Sequence, residues 1–365
     1  MKNYSNQEIR YIWLDSFLGL EYKYKCEIID CILGEESLSS MLTINKQKIM
    51  CVIGEKEFYT LYSASAETFI KFHLEEIERK GITAITILSN EYPEKLKQTP
   101  CPPLVLYAKG DVSLLTQQSF SIVGSRKSLP ISIKLAETYT KALCDAGLVI
   151  VTGIAEGIDS AVLNAVLDCK GKAISVIAGG FDNVYPKSNQ NLLEKIAKSG
   201  LVISEYPPET IPKPFHFPVR NRIIAGLGMG VLVVSAGQKS GTLYTAEYAV
   251  DYGKEVFAIP YSVGVQSGVG CNDLIKKGAL LTDNPDDILD FYQLDKEKKK
   301  QVELSETEKA IIEVLSNQSL HVEKICALLG KKIFEVTPFL SILEIKGIVF
   351  KSGNVYGLIG SKSEE

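Results

Sequence analysis

Three cationic side chains, Arg220, Arg222 and Lys239, flank a short apolar run within residues 216–245. The stretch reads His-Phe-Pro-Val-Arg-Asn-Arg, then Ile223 to Gly228, then Val231 to Val234, then Gly237-Gln-Lys-Ser-Gly-Thr. Guanidinium and ammonium groups beside small donor residues suit an anion, above all a phosphate. Pro218 fixes the backbone in a way that suits a helix start. On that helix Arg220 and Arg222, two positions apart, diverge by roughly half a turn. They could hold two neighbouring anionic groups but not one group bidentately. Gly237 and Gly241 permit close backbone approach, and Thr242 could open a second helix whose N–H groups favour anions. The stretch reads as half of a phosphate-binding groove.

Further loops carry the same chemistry. Gly124-Ser125-Arg126 follows the apolar run Phe120–Val123, where Ser125 and Arg126 can donate to a phosphate. Gly153-Ile-Ala-Glu-Gly157-Ile-Asp159 follows another, with Asp159 placed to cap a helix or orient the loop. Gly179-Gly180 leads to Asp182 and to Tyr185-Pro186-Lys187, with Lys187 expected at a helix start on the same edge. Ser204-Glu205-Tyr206 opens a proline-punctuated excursion that holds Phe215 and Phe217, rings available for base stacking or for the core. Five such loops point to one anion-binding sheet edge.

Several chemistries are disfavoured. The glycines match neither the dinucleotide fingerprint nor a Walker A loop, since Gly171-Lys172, Gly253-Lys254 and Gly330-Lys331 lack the upstream glycine and the following Ser/Thr. Asp159, Asp182, Glu205 and Glu247 fall on different elements, so no carboxylate pair is spaced for acid–base work, and only His216 lies near a plausible nucleophile. The eight cysteines are scattered without a Cys-x-x-Cys pair and there are three histidines, which argues against zinc and against a disulfide framework. A binding protein without catalytic residues, cofactor or metal is expected.

The elements that must position these loops follow from periodicity. From Phe120, runs apolar on both faces alternate with helical segments through Glu255–Ile259, the pattern of a parallel sheet covered on both sides. The expected class is α/β, an extended Rossmann-like, doubly wound, mostly parallel sheet with ligands at the carboxyl ends of its strands. Residues 1–80 read as a helical domain, 81–294 as the Rossmann-like domain, and Asp295-Lys-Glu-Lys-Lys-Lys300 as a linker. Residues 303–360 read as three helices and a hairpin turning at Ser352-Gly-Asn354, a winged-helix plan. Its third helix carries only Lys346 against Glu335 and Glu344, which favours a protein-contact or accessory role over major-groove reading.

With 365 residues, 45% hydrophobic and 23% charged, the chain suits a multi-domain globular protein. The polar start from Met1 to Arg10 predicts no signal peptide, and no apolar run approaches the roughly 18 residues of a membrane helix, so a cytoplasmic protein is expected. A net charge of −4 does not advertise nucleic-acid binding. Between Lys187 and Gly241, however, seven basic residues stand against three acids, which makes that segment locally basic.

Taken in order, Ser121-Ile-Val-Gly-Ser-Arg126, Gly153-Ile-Ala-Glu-Gly-Ile-Asp159, Tyr185-Pro186, Ser204-Glu205, Phe217-Pro-Val-Arg-Asn-Arg-Ile-Ile-Ala-Gly226, Lys239-Ser-Gly241 with Thr245-Ala246, and Gly278-Ala279 resemble the DprA/Smf family of bacterial DNA-processing proteins. The likeness is strong over about residues 81–290 and weaker in the flanking parts. It implies single-stranded DNA held in a basic pocket, delivery of that DNA to RecA in natural transformation, and a homodimer. Carried over by motif, the DNA contacts would be Gly124, Ser125, Arg126, Lys187, Arg220, Asn221, Arg222, Lys239, Ser240 and Gly241, with Phe217 added for stacking. Val162, Ser235 and Tyr261 depart from the common pattern. An alternative is a nucleotide-binding or nucleotide-hydrolysing Rossmann-like enzyme of the nucleoside-monophosphate phosphoribohydrolase type, suggested by Gly241-Thr242 with Glu247, although the glycine spacing of that motif is broken.

Overall fold

The computed structural model describes residues 4–17, 20–34, 36–294, 305–316, 318–345 and 348–358. Gly19, Lys346 and the expected linker Asp295–Lys300 lie outside them. The chain divides between Asp295 and Lys296 into two compact units.

The first unit begins with α1 (Asn6–Asp15), α2 (Tyr22–Ile32), α3 (Leu38–Ile44), α4 (Lys46–Ile53), α5 (Glu55–Ser63) and α6 (Glu67–Arg79). Next come β1 (Thr83–Thr86), α7 (Glu94–Lys97) and β2 (Val105–Gly110). The alternating part follows as β3 (Ser119–Gly124), α8 (Pro130–Asp145), β4 (Val149–Thr152), α9 (Ile158–Asp168), β5 (Ala173–Ile177), α10 (Gln190–Ser199) and β6 (Leu201–Ser204). It continues through α11 (His216–Leu227), β7 (Gly230–Ser235), α12 (Thr242–Asp251), β8 (Glu255–Ala258), α13 (Val269–Lys276), β9 (Leu280–Leu281) and α14 (Pro285–Phe291).

Among the described residues the strands of this unit form one sheet in the order β1-β2-β6-β5-β4-β3-β7-β8-β9. The strands from β6 to β9 run parallel, while β2 pairs antiparallel with both β1 and β6. The sheet is therefore mostly parallel and doubly wound. The two-residue strand β9 was not legible in the apolar pattern.

Alternation along the strands feeds two cores. Val123, Val231 and Val233 pack with Ile223, Ile224 and Leu227 of α11 and Ala246 and Ala249 of α12 on one face. Phe120, Ile122, Leu232 and Val234 pack with Tyr139 and Leu143 of α8 and Ile158 and Val162 of α9 on the other. The side chains of α1 to α6 bury Trp13, Ile28, Leu42 and Phe58 together with Ala84 of β1 and Val105 and Tyr107 of β2. The amino-terminal helices thus share a core with the antiparallel edge of the sheet.

Helix α11 is seated by polar anchors at its carboxyl end. Ser121 Oγ donates to the Ile224 carbonyl (2.7 Å) and Ser119 Oγ to that of Leu227 (2.9 Å). Lys254 Nζ donates to the carbonyls of Ala225 (2.8 Å), Gly226 (2.5 Å) and Gly228 (2.7 Å). A cation there satisfies orphan carbonyls and opposes the helix dipole. These anchors fix which way the arginines of α11 point.

The second unit contains α15 (Glu306–Leu315), opened by a Ser305/Glu308 capping box, β10 (Leu320–His321), α16 (Val322–Leu329), α17 (Ile333–Ile345), β11 (Val349–Ser352) and β12 (Val355–Leu358). Helix α17 continues through Pro338. The strands pair in the order β10-β12-β11, and Ile311, Leu315, Ile325, Val336, Leu340 and Val349 form a core of their own. The arrangement is winged-helix-like.

Candidate nucleic-acid interface

A cleft of about 700 Å³ opens where β3 and β7 end. Strand β3 continues to β4 on one side and neighbours β7 on the other, so this is the point where the strand order reverses. Ligands of open α/β sheets bind outside the strand ends at such a point.

The loop after β3 is pinned to β7. Ser125 N donates to the Ser235 carbonyl (2.9 Å) and Ser125 Oγ donates to the same oxygen (3.2 Å). Ser128 Oγ lies 3.1 Å from Ser235 Oγ. Ser235, one of the departures from the family pattern, therefore holds this turn in place. The other two are also structural: Val162 is buried in the core, and Tyr261 Oη donates to the Val234 carbonyl (2.8 Å).

The loop after β4 packs against the first one without room for side chains. A Cβ on Gly157, whose φ is +82°, would sit 2.3 Å from the Arg126 carbonyl oxygen. A Cβ on Gly153 would sit 2.4 Å from Asp159 Oδ2 and 2.9 Å from both terminal nitrogens of Arg220. Glycine at 153 is thus required by the Asp159 and Arg220 side chains that close on it. Asp159 does not cap α9, whose N-cap is Gly157; its Oδ2 instead accepts from Ala155 N (3.2 Å) and holds the loop. Burial pushes the Asp159 carboxyl up, and the Arg220 charge opposes that most strongly.

Arg220 is 5% exposed and points into the cleft. One Nη1 donates to the Val176 carbonyl and Nε to Asn221 Oδ1 (3.1 Å). Asn221 Nδ2 in turn donates to the Gly241 carbonyl (3.1 Å), which ties α11 to the loop after β7. Burial lowers the Arg220 pKa and Asp159 raises it; a guanidinium stays charged there.

On the rim, Arg126, Lys127 and Lys239 are exposed cleft residues. The Arg126 guanidinium stands 5.1 Å from the centre of the Phe217 ring, and Tyr185 meets that ring edge-on at 5.8 Å. Ser240 Oγ donates to Thr242 Oγ1 (3.0 Å), and a Cβ on Gly241 would meet no described atom within 4 Å beyond its chain neighbours. Among the described residues that line the cleft, Asp159 is the only acid.

Gly124, Ser125, Arg126, Phe217, Arg220, Asn221, Lys239, Ser240 and Gly241 all line this cleft. Two expected residues do not. Lys187 is exposed in a 3-10 turn, Lys187–Asn189, directly after Tyr185 and Pro186, which line a small recess beside the cleft with Arg126 and Phe217. Arg222 is corrected outright. Half a helical turn from Arg220, it is 7% exposed and ion-paired with Glu205, away from the cleft. It cannot grip a second phosphate beside Arg220. Phe215 also stays outside the cleft, 61% exposed. Sequence reasoning missed Lys127, Thr245, Gln266 and Ser267, which line the cleft. Lys127 adjoins the Gly-Ser-Arg motif and Thr245 stands in the quoted Thr245-Ala246 motif, so both were open to inference; Gln266 and Ser267 carried no local signal.

Residues 83–293 match the family model described as DNA recombination-mediator protein A. The chain belongs to this family, the DprA/Smf proteins. It is 44% identical over 212 residues to the DNA processing protein DprA of Bacillus subtilis strain 168, covering 58% of this chain and 71% of that one. It is 35% identical over 274 residues to the Smf protein of Escherichia coli K12, covering 73% of each. Among solved structures it resembles DprA from Streptococcus pneumoniae with a TM-score of 0.68 and 34% identity, over 80% of this chain and 99% of that one. It also resembles DprA from Helicobacter pylori, a structure that concerns a single-stranded DNA binding mode, with a TM-score of 0.53 and 30% identity, over 58% of this chain and 95% of that one. The cleft lies entirely within the span that matches the family model. No helix among the described residues is long and apolar enough to cross a membrane.

Proposed function

We propose that this DprA/Smf protein binds single-stranded DNA along the cleft and delivers it to RecA, acting as a homodimer in the cytoplasm. The observation that carries the binding step is the convergence of Arg126, Lys127, Arg220 and Lys239 with the Phe217 ring in one cleft at the switch point. Exposed cations on the rim can follow a flexible backbone, and an aromatic face can take bases in any order. The contacts proposed are Gly124, Ser125, Arg126, Phe217, Arg220, Asn221, Lys239, Ser240 and Gly241, with Lys187 beyond the cleft edge. Delivery to RecA and dimer formation rest on family membership. Residues 1–80, 81–294 and 303–360 are read as helical, DNA-binding and accessory parts. The hydrolase alternative needs Glu247 at the ligand, but that side chain is exposed on α12 and does not line the cleft. Titration of labelled oligo-dT against duplex of equal length at two salt concentrations tests the reading. Tighter, salt-sensitive binding of the single strand is expected; equal or absent binding refutes it.

A further inference from the structure

The cysteines are scattered along the sequence, but the fold brings two of them together. Cys144 lies in the last turn of α8, and Cys169 directly follows α9. A Cβ on Gly171 would sit 2.5 Å from the Cys144 sulfur and 3.4 Å from the Cys169 sulfur, so both thiols crowd one point. Glycine at 171 leaves them the room. The two thiols share a hydrogen bond, and Cys169 Sγ also donates to the Val166 carbonyl (3.5 Å). Both residues are half-buried. Helices α8 and α9 run back from the cleft, so the pair stands at the amino ends of β4 and β5, the opposite strand ends.

This thiol–thiol contact sets the pair apart. Cys31 and Cys271 donate to the carbonyls of Glu27 and Val233, and Cys26 hydrogen-bonds the Tyr22 side chain. Cys51 and Cys101 are exposed, and Cys326 is buried in the core of the second unit.

We propose that Cys144 and Cys169 form a reversible disulfide when the protein meets a small-molecule disulfide, RS–SR, and that the bond staples α8 to α9. The exchange runs in two steps. The Cys169 sulfur, as thiolate, attacks RS–SR, forms a mixed disulfide and releases RS⁻. The Cys144 sulfur then gives its proton to water and attacks the Cys169 sulfur, which forms the protein disulfide and releases the second RS⁻. Two protein thiols lose two electrons and two protons, and RS–SR becomes two RSH. Cys169 reacts first because burial, and then the neighbouring sulfur, push the Cys144 thiol up and keep it protonated. The segment that the bond closes contains β4, the loop 153–159 and α9. Cross-linking its ends restricts the unfolded chain and so favours the folded one. In a reducing compartment such a bond responds to oxidant and is not a permanent framework.

The test incubates the full chain with glutathione disulfide, alkylates it and maps its peptides by mass spectrometry without reduction. A linked pair joining Cys144 to Cys169, lighter by two hydrogens, is expected. The melting temperature should rise by about 5–10 °C, the effect of closing a loop of roughly 25 residues in a body of this size. Dithiothreitol should reverse both changes. Cys144→Ala and Cys169→Ala should each abolish them, whereas Cys51→Ser, at an exposed site, should leave them. Glutathione retained on Cys169 with Cys144 still free overturns the proposal, as does a different pairing in its place. A linked pair with an unchanged melting temperature overturns it too, because the bond would then staple nothing. The wild-type readouts stand even where a cysteine variant does not fold. None of them involves DNA, so this outcome is separate from that of the proposed function.

Discussion

Replacing Arg222 by alanine should destabilise the fold and leave the electrostatics of DNA binding intact, the reverse of what its place in an arginine-rich motif suggests. Its side chain is 8% exposed and that of Glu205 16%, and the two are ion-paired. Removing one partner of a buried pair costs about 3–5 kcal/mol, because the other charge stays buried without compensation. At roughly 2–4 °C per kcal/mol for a body of this size, the melting temperature should fall by about 6–20 °C. The deficit should depend on pH. Burial already pushes the Glu205 carboxyl above its usual range, and the Arg222 charge is the main opposing influence. Without it the folded-state pKa rises further above the unfolded value. The folded variant then binds a proton that the unfolded chain has lost, so its deficit grows as pH rises from the carboxylate range and shrinks in acid. Replacing both partners with apolar residues, Arg222→Met with Glu205→Leu, should recover most of the loss. Denaturant unfolding at pH 5 and pH 7.5 reads stability, and oligo-dT titration across salt concentrations, below the melting temperature, reads the contact. An unchanged melting temperature with a shallower salt slope would refute the reasoning, because Arg222 would then be a phosphate ligand.

Arg126→Ala and Lys239→Ala should each reduce the salt slope of oligo-dT binding by about 0.7, the contribution of one single-strand phosphate contact, with little change in stability; slopes equal to wild type count against the rim. Phe217→Ala should weaken binding by about 1–3 kcal/mol per stacked base and leave the salt slope alone, which the same titrations separate from a charge effect. Gly153→Ala should lower both affinity and melting temperature, since its Cβ would displace Asp159 and Arg220; wild-type values in both would show that the pair tolerates a methyl group. Burial holds the His73 imidazole below its usual 6.5. Its contribution is therefore present above that pH and lost as pH falls below it, so His73→Gln should flatten the acid limb of the stability profile in that range.

Much of the architecture was legible in local pattern. Strands such as Phe120–Val123 and Val231–Val234 are apolar on both faces because helices cover both sides of a parallel sheet. The Ser305/Glu308 capping box marked the start of α15 because its two hydrogen bonds are local. The strand β9 escaped notice because two residues carry no periodicity. Gln266 and Ser267 escaped because each is an ordinary polar residue whose cleft neighbours come from distant elements.

The sequence by itself determined the order of strands and helices from β3 to β8, the glycine-tipped loops and the half-turn divergence of Arg220 from Arg222, because all of these depend on backbone geometry within a few residues. Only the tertiary structure decided which arginine faces the cleft. The azimuth of α11 is set by Ser119, Ser121 and Lys254 at its carboxyl end and by the paths of β5 and β6, which bring the Val176 carbonyl to Arg220 and Glu205 to Arg222. Those partners are remote in the chain, and a helix can rotate about its axis without changing its own hydrogen bonds. The side that each arginine faces is therefore a property of packing.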